Sequence, residues 1–262
     1  MQNVLKLMLL MLVILACKPK VQEGKNDTST VKQKQEGKIL FIVSNQKTYG
    51  NSSIKTSNHF GEIVYAYDVL FENGFEVDFV SPKGGYVPIG YINKSNPIQK
   101  KYINDTSLQN KLKNTLTPSE VEISKYKAVY YVGGGAAMFG VPVNKEIQHI
   151  AISIYEKNKG IVSAICHGSA GLVNLKTSNG EYLYKGKNVN GYPDKFERKS
   201  ADYYQEFPFS IEKELLKNGG KFSYSQKNRA GYYQVDGRLI TGQDPSAAKI
   251  VAQKIIETLK NN

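Results

Sequence analysis

Cysteine and histidine are scarce in this sequence, which has two cysteines and three histidines among 262 residues. No histidine follows His167, so the chain lacks the downstream histidine that a papain-like cysteine protease requires. His59, His149 and His167 also lack the spacing of zinc ligands, which argues against a three-ligand zinc site. The segment GGGAAMFG (133–140) does not have the form of a Rossmann or P-loop phosphate motif. The sequence therefore predicts neither a metal ion nor a nucleotide cofactor.

The longest apolar run lies at the N-terminus, where residues 1–17 read MQNVLKLMLLMLVILAC. This run is too short to span a bilayer comfortably and has the form of a secretory signal. Ala16 before Cys17 resembles a bacterial lipobox, in which the cysteine is lipidated; an ordinary signal peptide with a chance cysteine is the alternative. Residues 18–37 are polar and lack aromatic side chains, as expected of a flexible tether. We therefore expect a lipoprotein signal peptide at 1–17, a tether at 18–37 and a folded domain at 38–262. That organisation predicts a protein anchored by lipid to the membrane of a bacterial cell envelope.

Acidic residues are outnumbered, since 35 lysines and arginines against 23 aspartates and glutamates give a formal net charge of +12. The lysines are scattered, and no basic cluster is interleaved with aromatic residues. This pattern is typical of a solvated surface and argues against nucleic-acid binding.

Strand and helix patterns alternate along residues 38–262. Short apolar runs predict strands at 38–45, 75–81, 127–132 and 161–165, and helical spacing predicts helices at 59–74, 145–158 and near the C-terminus. Further predictions are one short helix within a loop-rich excursion at 91–116, a helix start at 117–120, a strand pair at 181–192 and a hairpin turn at 236–237. Alternating units of this kind predict an α/β fold with a mostly parallel sheet covered by helices on both faces.

The stretch IVSAICHGSAGLVN (161–174) ends a buried strand at Cys166, and three glycines, 133–135, end the preceding strand. Both strand ends are expected at the edge of the sheet where ligands bind. A tight strand-to-helix turn presents its residue to the cleft, as at a nucleophile elbow. A helix starting near His167 would lower the pKa of the thiol, and the glycines would bring backbone N–H groups close to an oxyanion. If Cys17 is lipidated, Cys166 is the only thiol left. We therefore predict that it is a nucleophile, with a buried inert cysteine as the alternative.

The domain resembles the ThiJ/PfpI superfamily, which has the fold of class I glutamine amidotransferases, and in particular its branch of glutathione-independent glyoxalases (glyoxalase III) and chaperones. The resemblance covers, in order, GEIVYAYDVLFENGFEVDFVSPKGG (61–85), YKAVYYVGGGAAMF (126–139), GIVSAICHGSAGLVNLK (160–176), YLYKGKNVNGYPDKFE (182–197) and VDGRLITGQDPSAAK (235–249). It implies a flavodoxin-like, doubly wound α/β fold with a nucleophile elbow. Amidotransferase activity is disfavoured, because no His-x-Glu pair follows the cysteine.

The resemblance also implies the roles of particular residues. Cys166 matches the nucleophile, Glu62 the proton-shuttling glutamate, and His167 the histidine beside the cysteine. An acid after the Gly-Tyr pair orients that histidine, and Glu197 is the first choice, with Asp194 as the alternative. Oxyanion donors are expected among the backbone N–H groups of residues 134, 135 and 167. Independently of the resemblance, a carboxyl at position 62 among apolar neighbours would be desolvated and its pKa raised, although a solvated helix glutamate is the simpler interpretation.

The implied activity is the cofactor-free conversion of methylglyoxal, a 2-oxoaldehyde, and water to D-lactate through a Cys166 hemithioacetal, by a lyase in carbonyl-stress detoxification. By analogy with the family, a homodimer is also expected. Alternatives are a holdase chaperone or redox sensor of the envelope, and a hydrolase of peptides or glycated proteins. The chain departs from the branch at Gly135, Gly140 and Ser169, where a histidine, an acidic residue and a proline are usual. The resemblance therefore leaves the physiological substrate open.

Overall fold

The computed structural model describes residues 36–261. The predicted signal peptide, Cys17 and nearly all of the predicted tether lie outside the described residues, so the predictions made for them stay predictions. Within residues 36–261, no helix has the length and apolar character needed to cross a bilayer.

Six strands form a central sheet: β1 (Gly37–Ile42), β2 (Phe75–Val80), β3 (Tyr126–Tyr131), β4 (Ile161–Ile165), β5 (Tyr233–Asp236) and β6 (Leu239–Gly242). Their spatial order is β2-β1-β3-β4-β6-β5. All neighbouring pairs are parallel except β5 and β6, which form an antiparallel hairpin. The predicted mostly parallel sheet and the turn at Asp236-Gly237 are confirmed. Two pairs of two-residue strands lie outside this sheet, Asn58–His59 with Ile89–Gly90 and Asn188–Val189 with Lys221–Phe222.

The α-helices are α1 (Phe60–Glu72), α2 (Pro97–Ile103), α3 (Thr106–Lys113), α4 (Lys145–Glu156), α5 (Ile211–Lys217) and α6 (Ala248–Lys260). Successive side chains of a strand point to opposite faces of the sheet, and β1 divides its residues accordingly. Ile39 and Phe41 belong to the core shared with α1 and α6, whereas Leu40 and Ile42 belong to the core shared with α4. The sheet is therefore buried on both faces, which explains the continuous apolar runs of its strands.

Two local predictions were wrong and a third was confirmed. Residues 91–116 contain two helices, not one, because Asn96 caps α2, with Pro97 in its first turn, and Asp105 caps α3. The predicted helix start at Thr117 is present, with a capping box, but the helix is a single 3₁₀ turn, Pro118–Glu120. The segment 181–192 does not pair with itself, since Asn188–Val189 pairs in parallel with the distant Lys221–Phe222. Local patterns identified strand-forming residues there, but tertiary contacts selected the partner.

Candidate active site

Cys166 occupies a strained turn at the carboxyl end of β4. Its φ is +54°, a region that non-glycine residues rarely adopt and that clusters at functional sites. The helix expected near His167 follows at once, as a 3₁₀ helix, Cys166–Leu172. This helix lies close against β3, because a Cβ atom at Gly168 would be 2.3 Å from the carbonyl oxygen of Tyr131. The sharp turn predicted from the sequence is thus present.

The glycines after β3 are required by close packing. A Cβ atom at Gly133 would lie 2.6 Å from Oε2 of Glu62 and 2.8 Å from the carbonyl oxygen of Ile165. Gly134 has a φ of +94°, and its Cβ atom would lie 2.5 Å from the carbonyl oxygen of Ser57. Only glycine lets the backbone pass between the cysteine turn and the entry to α1.

Glu62 lies in the first turn of α1 and is fully buried. Its Oε2 atom accepts a hydrogen bond from the N–H of Gly133 at 2.7 Å, while Oε1 has no hydrogen-bond partner of normal geometry among the described residues. Burial raises the pKa of Glu62 to about 8, against the opposing effects of the Gly133 N–H and of the Cys166 thiol beside it. The desolvated, protonated carboxyl expected from the sequence is confirmed, and its unpaired oxygen can carry that proton.

The pKa of Cys166 is raised, contrary to the expectation of a lowered value. Burial is the largest cause, and the negative charge of Glu62 adds to it. The backbone N–H of His167 opposes the shift, but one amide of a short 3₁₀ helix does not compensate for the loss of solvent. The resting sulfur is therefore a thiol that needs a base.

His167 lies between that thiol and a carboxylate. Its Nδ1 atom is 3.5 Å from Sγ of Cys166, and its Nε2 atom is 2.9 Å from Oε1 of Glu197. The carboxylate favours the tautomer with the proton on Nε2, which leaves Nδ1 as an acceptor for the thiol proton. Asp194, the alternative acid, instead accepts a hydrogen bond from the hydroxyl of Ser210 at 2.6 Å. The structure thus brings Glu197, and not Asp194, to the histidine.

The predicted oxyanion donors are not equivalent. The N–H of Gly134 makes no hydrogen bond within residues 36–261, and Gly134 lines the cavity beside Cys166. The N–H of Gly135, in contrast, donates to the hydroxyl of Tyr91 at 3.3 Å. The N–H of His167 interacts with the sulfur. Gly134 and His167 can therefore serve an oxyanion, while Gly135 holds a tyrosine in place.

A cavity of about 240 Å³ opens over Cys166. Sequence reasoning found Cys166, His167, the glycines and Glu197 but missed the rest of the lining, namely Tyr49, His59, Tyr91, Tyr192, Phe196, Arg198, Tyr203, Phe207, Asn228, Arg229, Asp244 and Pro245. Much of this lining is aromatic: Tyr49 stacks on Tyr203 at 4.7 Å between ring centroids, and Tyr192 stacks on His167, also at 4.7 Å. The tyrosine-rich segment ADYYQEF (201–207) was the one signal in the sequence that pointed to this wall.

The other two histidines lie in different environments. His59 caps α1, since its Nδ1 atom accepts the N–H of Glu62 at 3.2 Å, and it also lines the cavity. Burial and the charge of Arg229 lower the pKa of His59 to about 4, so it is neutral. His59 therefore fixes the start of α1, and its position in the cavity was not foreseen from the sequence. His149 lies on α4 near Ser153, outside the cavity.

Among residues 36–261, no group of three or more histidine, cysteine or acidic side chains could hold a metal ion.

A sequence profile of the DJ-1/PfpI family matches residues 59–258. The chain belongs to the DJ-1/PfpI family. It is 30% identical over 239 residues to the glutathione-independent glyoxalase HSP31 of Saccharomyces cerevisiae, covering 85% of this chain and 98% of that protein. The crystal structure of the 24 kDa rapid encystment protein of Francisella tularensis superposes with a TM-score of 0.79 at 31% identity, covering 85% of this chain and 99% of that one. Glyoxalase III of Candida albicans superposes with a TM-score of 0.74 at 25% identity, covering 85% and 97%.

Within this DJ-1/PfpI domain, the three departures from the glyoxalase branch lie in different places. Gly135 lines the cavity, and a Cβ atom there would lie 2.5 Å from both the Tyr49 ring and the Thr56 hydroxyl. Ser169 is buried and donates to the carbonyl oxygen of Asn190 at 3.0 Å. Gly140, with a φ of +77°, does not line the cavity. Of the three, Gly135 therefore bears most directly on substrate choice.

Proposed function

We propose that this chain is a glutathione-independent glyoxalase that converts methylglyoxal and water to D-lactate, using Cys166 and no cofactor. The observation that carries the proposal is the arrangement at the sulfur: a protonated, buried Glu62 and the Nδ1 atom of His167 both lie against Cys166, at a cavity sized for a small molecule. The relatives that match most of the chain are named glutathione-independent glyoxalases, which supports the same activity.

In the first step, the sulfur of Cys166 attacks the aldehyde carbon, and its proton passes to Nδ1 of His167. Glu197 stabilises the imidazolium that results. Glu62 gives its proton to the former aldehyde oxygen, whose developing charge is held by the N–H groups of Gly134 and His167. The product is a hemithioacetal, and Glu62 is now a carboxylate.

In the second step, the Glu62 carboxylate removes the hydrogen from the carbon bonded to sulfur, while His167 protonates the neighbouring ketone oxygen. The resulting enediol takes the same hydrogen back from Glu62 on the adjacent carbon, and its hydroxyl next to sulfur returns a proton to His167. A 2-hydroxy thioester is formed without net oxidation.

In the third step, water attacks the thioester and breaks its C–S bond. Glu62 takes a proton from the water, and His167 returns a proton to the departing sulfur. The 2-hydroxy acid leaves, and Cys166, His167 and Glu62 regain their starting protonation. A group that acts in turn as proton donor and proton acceptor is most effective when its pKa lies near the working pH. The pKa of about 8 at Glu62 meets this condition.

The test is lactate formation from methylglyoxal without glutathione by the full-length chain. Cys166→Ala should reduce turnover at least about 1,000-fold, because the covalent route is lost. Cys17→Ala is the matched control, since it removes the other cysteine and should retain turnover in detergent solution. Equal activity of the Cys166→Ala and unmodified chains would contradict the proposal.

The same assay separates the alternative functions. A redox sensor needs an easily ionised, accessible thiol, whereas Cys166 is buried and its pKa is raised, so we do not favour that role. No lactate, combined with protection of an unfolding client protein, would indicate a holdase; release of sugar adducts from glycated peptides would indicate a hydrolase.

We further propose that Cys17 is lipidated, that the domain is anchored to a bacterial envelope membrane, and that it forms a homodimer. The first two proposals rest on the N-terminal sequence and the third on analogy with the family. Labelling with a radioactive fatty acid should be lost in Cys17→Ala but not in Cys166→Ala. Light scattering of the chain in solution should give twice the mass of one chain.

A further inference from the structure

Arginine is rare in this chain and concentrated at one place. Only three of the 35 basic residues are arginines, and two of them, Arg198 and Arg229, line the cavity over Cys166. The third, Arg238, has a structural role, because its guanidinium donates to the carbonyl oxygens of Tyr155 and Gly160. In a chain that otherwise uses lysine, guanidinium groups at the cavity indicate a need for their planar, two-pronged donor geometry.

Both cavity guanidinium groups are available to a ligand. Neither Arg198 nor Arg229 forms an ion pair or a side-chain hydrogen bond within residues 36–261. The carboxylates that line the same cavity are already engaged. Glu197 accepts from His167, and Asp244 accepts from Ser246 on one oxygen and from the backbone N–H of Arg229 on the other. Among the charged side chains of the lining, the two guanidinium groups are therefore the ones left without a partner.

Backbone strain singles out the same region. Four non-glycine residues of the described chain have positive φ values, and three of them, Tyr91, Cys166 and Arg229, line this cavity. Arg229 has a φ of +56°, and the buried Asp244 carboxylate holds its N–H at 2.9 Å. The charge of Arg229 also reaches His59 inside the cavity and contributes to lowering the pKa of that histidine. Strain of this kind accumulates where a side chain must be positioned for function.

We propose that the natural substrate is a 2-oxoaldehyde that carries an anionic terminal group, a carboxylate or a phosphate, bound by Arg198 and Arg229 while its aldehyde carbon meets Cys166. Methylglyoxal, which is small and neutral, leaves both guanidinium groups without a partner. An anionic tail would give each of them charge-assisted hydrogen bonds. This inference rests on the proposed function, because it names the substrate class of the same site.

The test compares two substrates that differ in charge and by one methyl group: 4,5-dioxopentanoate, a 2-oxoaldehyde with a terminal carboxylate, and its neutral methyl ester. The full-length chain should have a higher kcat/KM for the acid, and the acid-to-ester ratio should fall about 10- to 100-fold in Arg198→Gln/Arg229→Gln. Lys199→Gln/Lys227→Gln, which removes neighbouring charges that do not line the cavity, should leave the ratio unchanged. A ratio near one in the unmodified chain, or one that the arginine variant does not change, would overturn the inference.

Two further arms sharpen the result. Arg198→Lys/Arg229→Lys keeps the positive charges but removes the planar, two-pronged guanidinium donors. An acid-to-ester ratio between those of the unmodified chain and the glutamine variant would support recognition by the guanidinium groups. Replacing the carboxylate with phosphate, in 3-phosphooxy-2-oxopropanal, identifies which anion is preferred; a higher kcat/KM for either anion than for the neutral ester supports the proposal.

A measurement without turnover separates this inference from the proposed function. Iodoacetate and iodoacetamide are thiol-alkylating reagents that differ in charge, and peptide mass spectrometry separates modification of Cys166 from that of Cys17. The arginine pair should favour the anionic reagent, so the iodoacetate-to-iodoacetamide rate ratio should fall several-fold in Arg198→Gln/Arg229→Gln. If no aldehyde is turned over but this ratio falls, the glyoxalase proposal fails and the anion site stands. If aldehydes are turned over but the arginine variant changes neither the acid-to-ester ratio nor the iodoacetate-to-iodoacetamide ratio, the anion-site inference fails and the glyoxalase proposal stands.

Discussion

The two walls of the Cys166 cavity are built in different ways. The wall at the strand ends consists of Cys166, Glu62 and the glycines after β3, all of them buried, with backbone held in positive φ at Gly134 and Cys166. The facing wall comes from the loops at 194–207 and 228–229, and its aromatic and arginine side chains are partly or largely exposed. The first wall is fixed by sheet geometry, and the second is held by side-chain contacts between loops.

This difference indicates that the two walls have different functions. Groups that exchange protons and electrons with the substrate need positions fixed to a fraction of an ångström, which a buried sheet edge supplies. Groups that select a substrate can lie on loops, where substitution does not disturb the core. His167 joins the two walls, because it follows the cysteine in sequence and contacts Glu197 of the loop wall. We therefore expect changes in the first wall, and at Glu197 which contacts His167, to affect the rate of chemistry. Changes at the other side chains of the second wall should affect substrate binding.

The largest effect is expected for Glu62→Gln. Glutamine keeps the size of the side chain but cannot give or take a proton, so kcat should fall about 100- to 10,000-fold. Lactate formation under saturating methylglyoxal measures this, and circular dichroism checks that the buried position still folds. Activity within threefold of the unmodified chain would exclude Glu62 as the proton shuttle.

Glu197→Gln tests the link between the two walls. The amide can still hydrogen-bond to Nε2 of His167 but does not stabilise the imidazolium, so kcat should fall about 10- to 100-fold with little change in KM. Asp194→Asn is the matched control and should remain near full activity, because that side chain contacts Ser210. The opposite ranking of the two variants would restore Asp194 as the orienting acid.

Gly134→Ala should destabilise the fold as well as the site. The φ of +94° alone strains an alanine, and the added Cβ atom would also meet the carbonyl oxygen of Ser57 at 2.5 Å. Gly180→Ala is the control, since Gly180 has a φ of +85° but open space around it. The free energy of unfolding should fall by roughly 1 kcal/mol at Gly180 and by at least about 2 kcal/mol more at Gly134. Equal losses would mean that the close approach does not constrain the backbone.

Stability should depend on pH through Glu62. Because its pKa in the folded chain is about 8, above the ordinary value of 4.5, the native state keeps a proton that the unfolded chain releases between these pH values. The free energy of unfolding should therefore decrease as pH rises from 5 to 8, by at most about 1.4 kcal/mol per pH unit. Urea titrations at several pH values should give a flatter dependence for Glu62→Gln, whereas the exposed Glu120→Gln should leave the slope above pH 5 unchanged.

The smallest effect is expected for an aromatic side chain of the loop wall. Tyr203→Ala removes a ring that stacks on Tyr49 but touches no group that moves a proton. KM for methylglyoxal should rise about threefold to tenfold while kcat stays within about twofold. A fall in kcat comparable to that of Glu197→Gln would show that the aromatic side chains of the loop wall also position the reacting groups.

The site could be predicted from sequence to the extent that it depends on local geometry. Cys166 follows a buried strand directly, so short-range patterns were enough to identify it. Glu62 lies on the first turn of a helix with an apolar face, but its role was assigned from the family resemblance, since the local pattern alone was equally that of a solvated glutamate. Glu197 was ranked ahead of Asp194 but the sequence could not decide between them, because they are only three positions apart and the folded path of the loop decides which one meets His167. The cavity position of Arg229 could not be predicted either, because this residue reaches the cavity from a distant part of the chain.

The amino-acid sequence by itself determined the alternation of strands and helices, the tight turn at Cys166 and the glycines beside it, because these follow from side-chain periodicity and from backbone sterics within a few residues. Only the tertiary structure decided the protonation of the site. Both expectations concerned pKa values: the raised value at Glu62 was confirmed, while the lowered value at Cys166 was wrong, since the thiol is buried as deeply as the carboxyl beside it. The pKa of a group depends on how much solvent the whole fold removes, and that quantity is set by segments far apart in the chain.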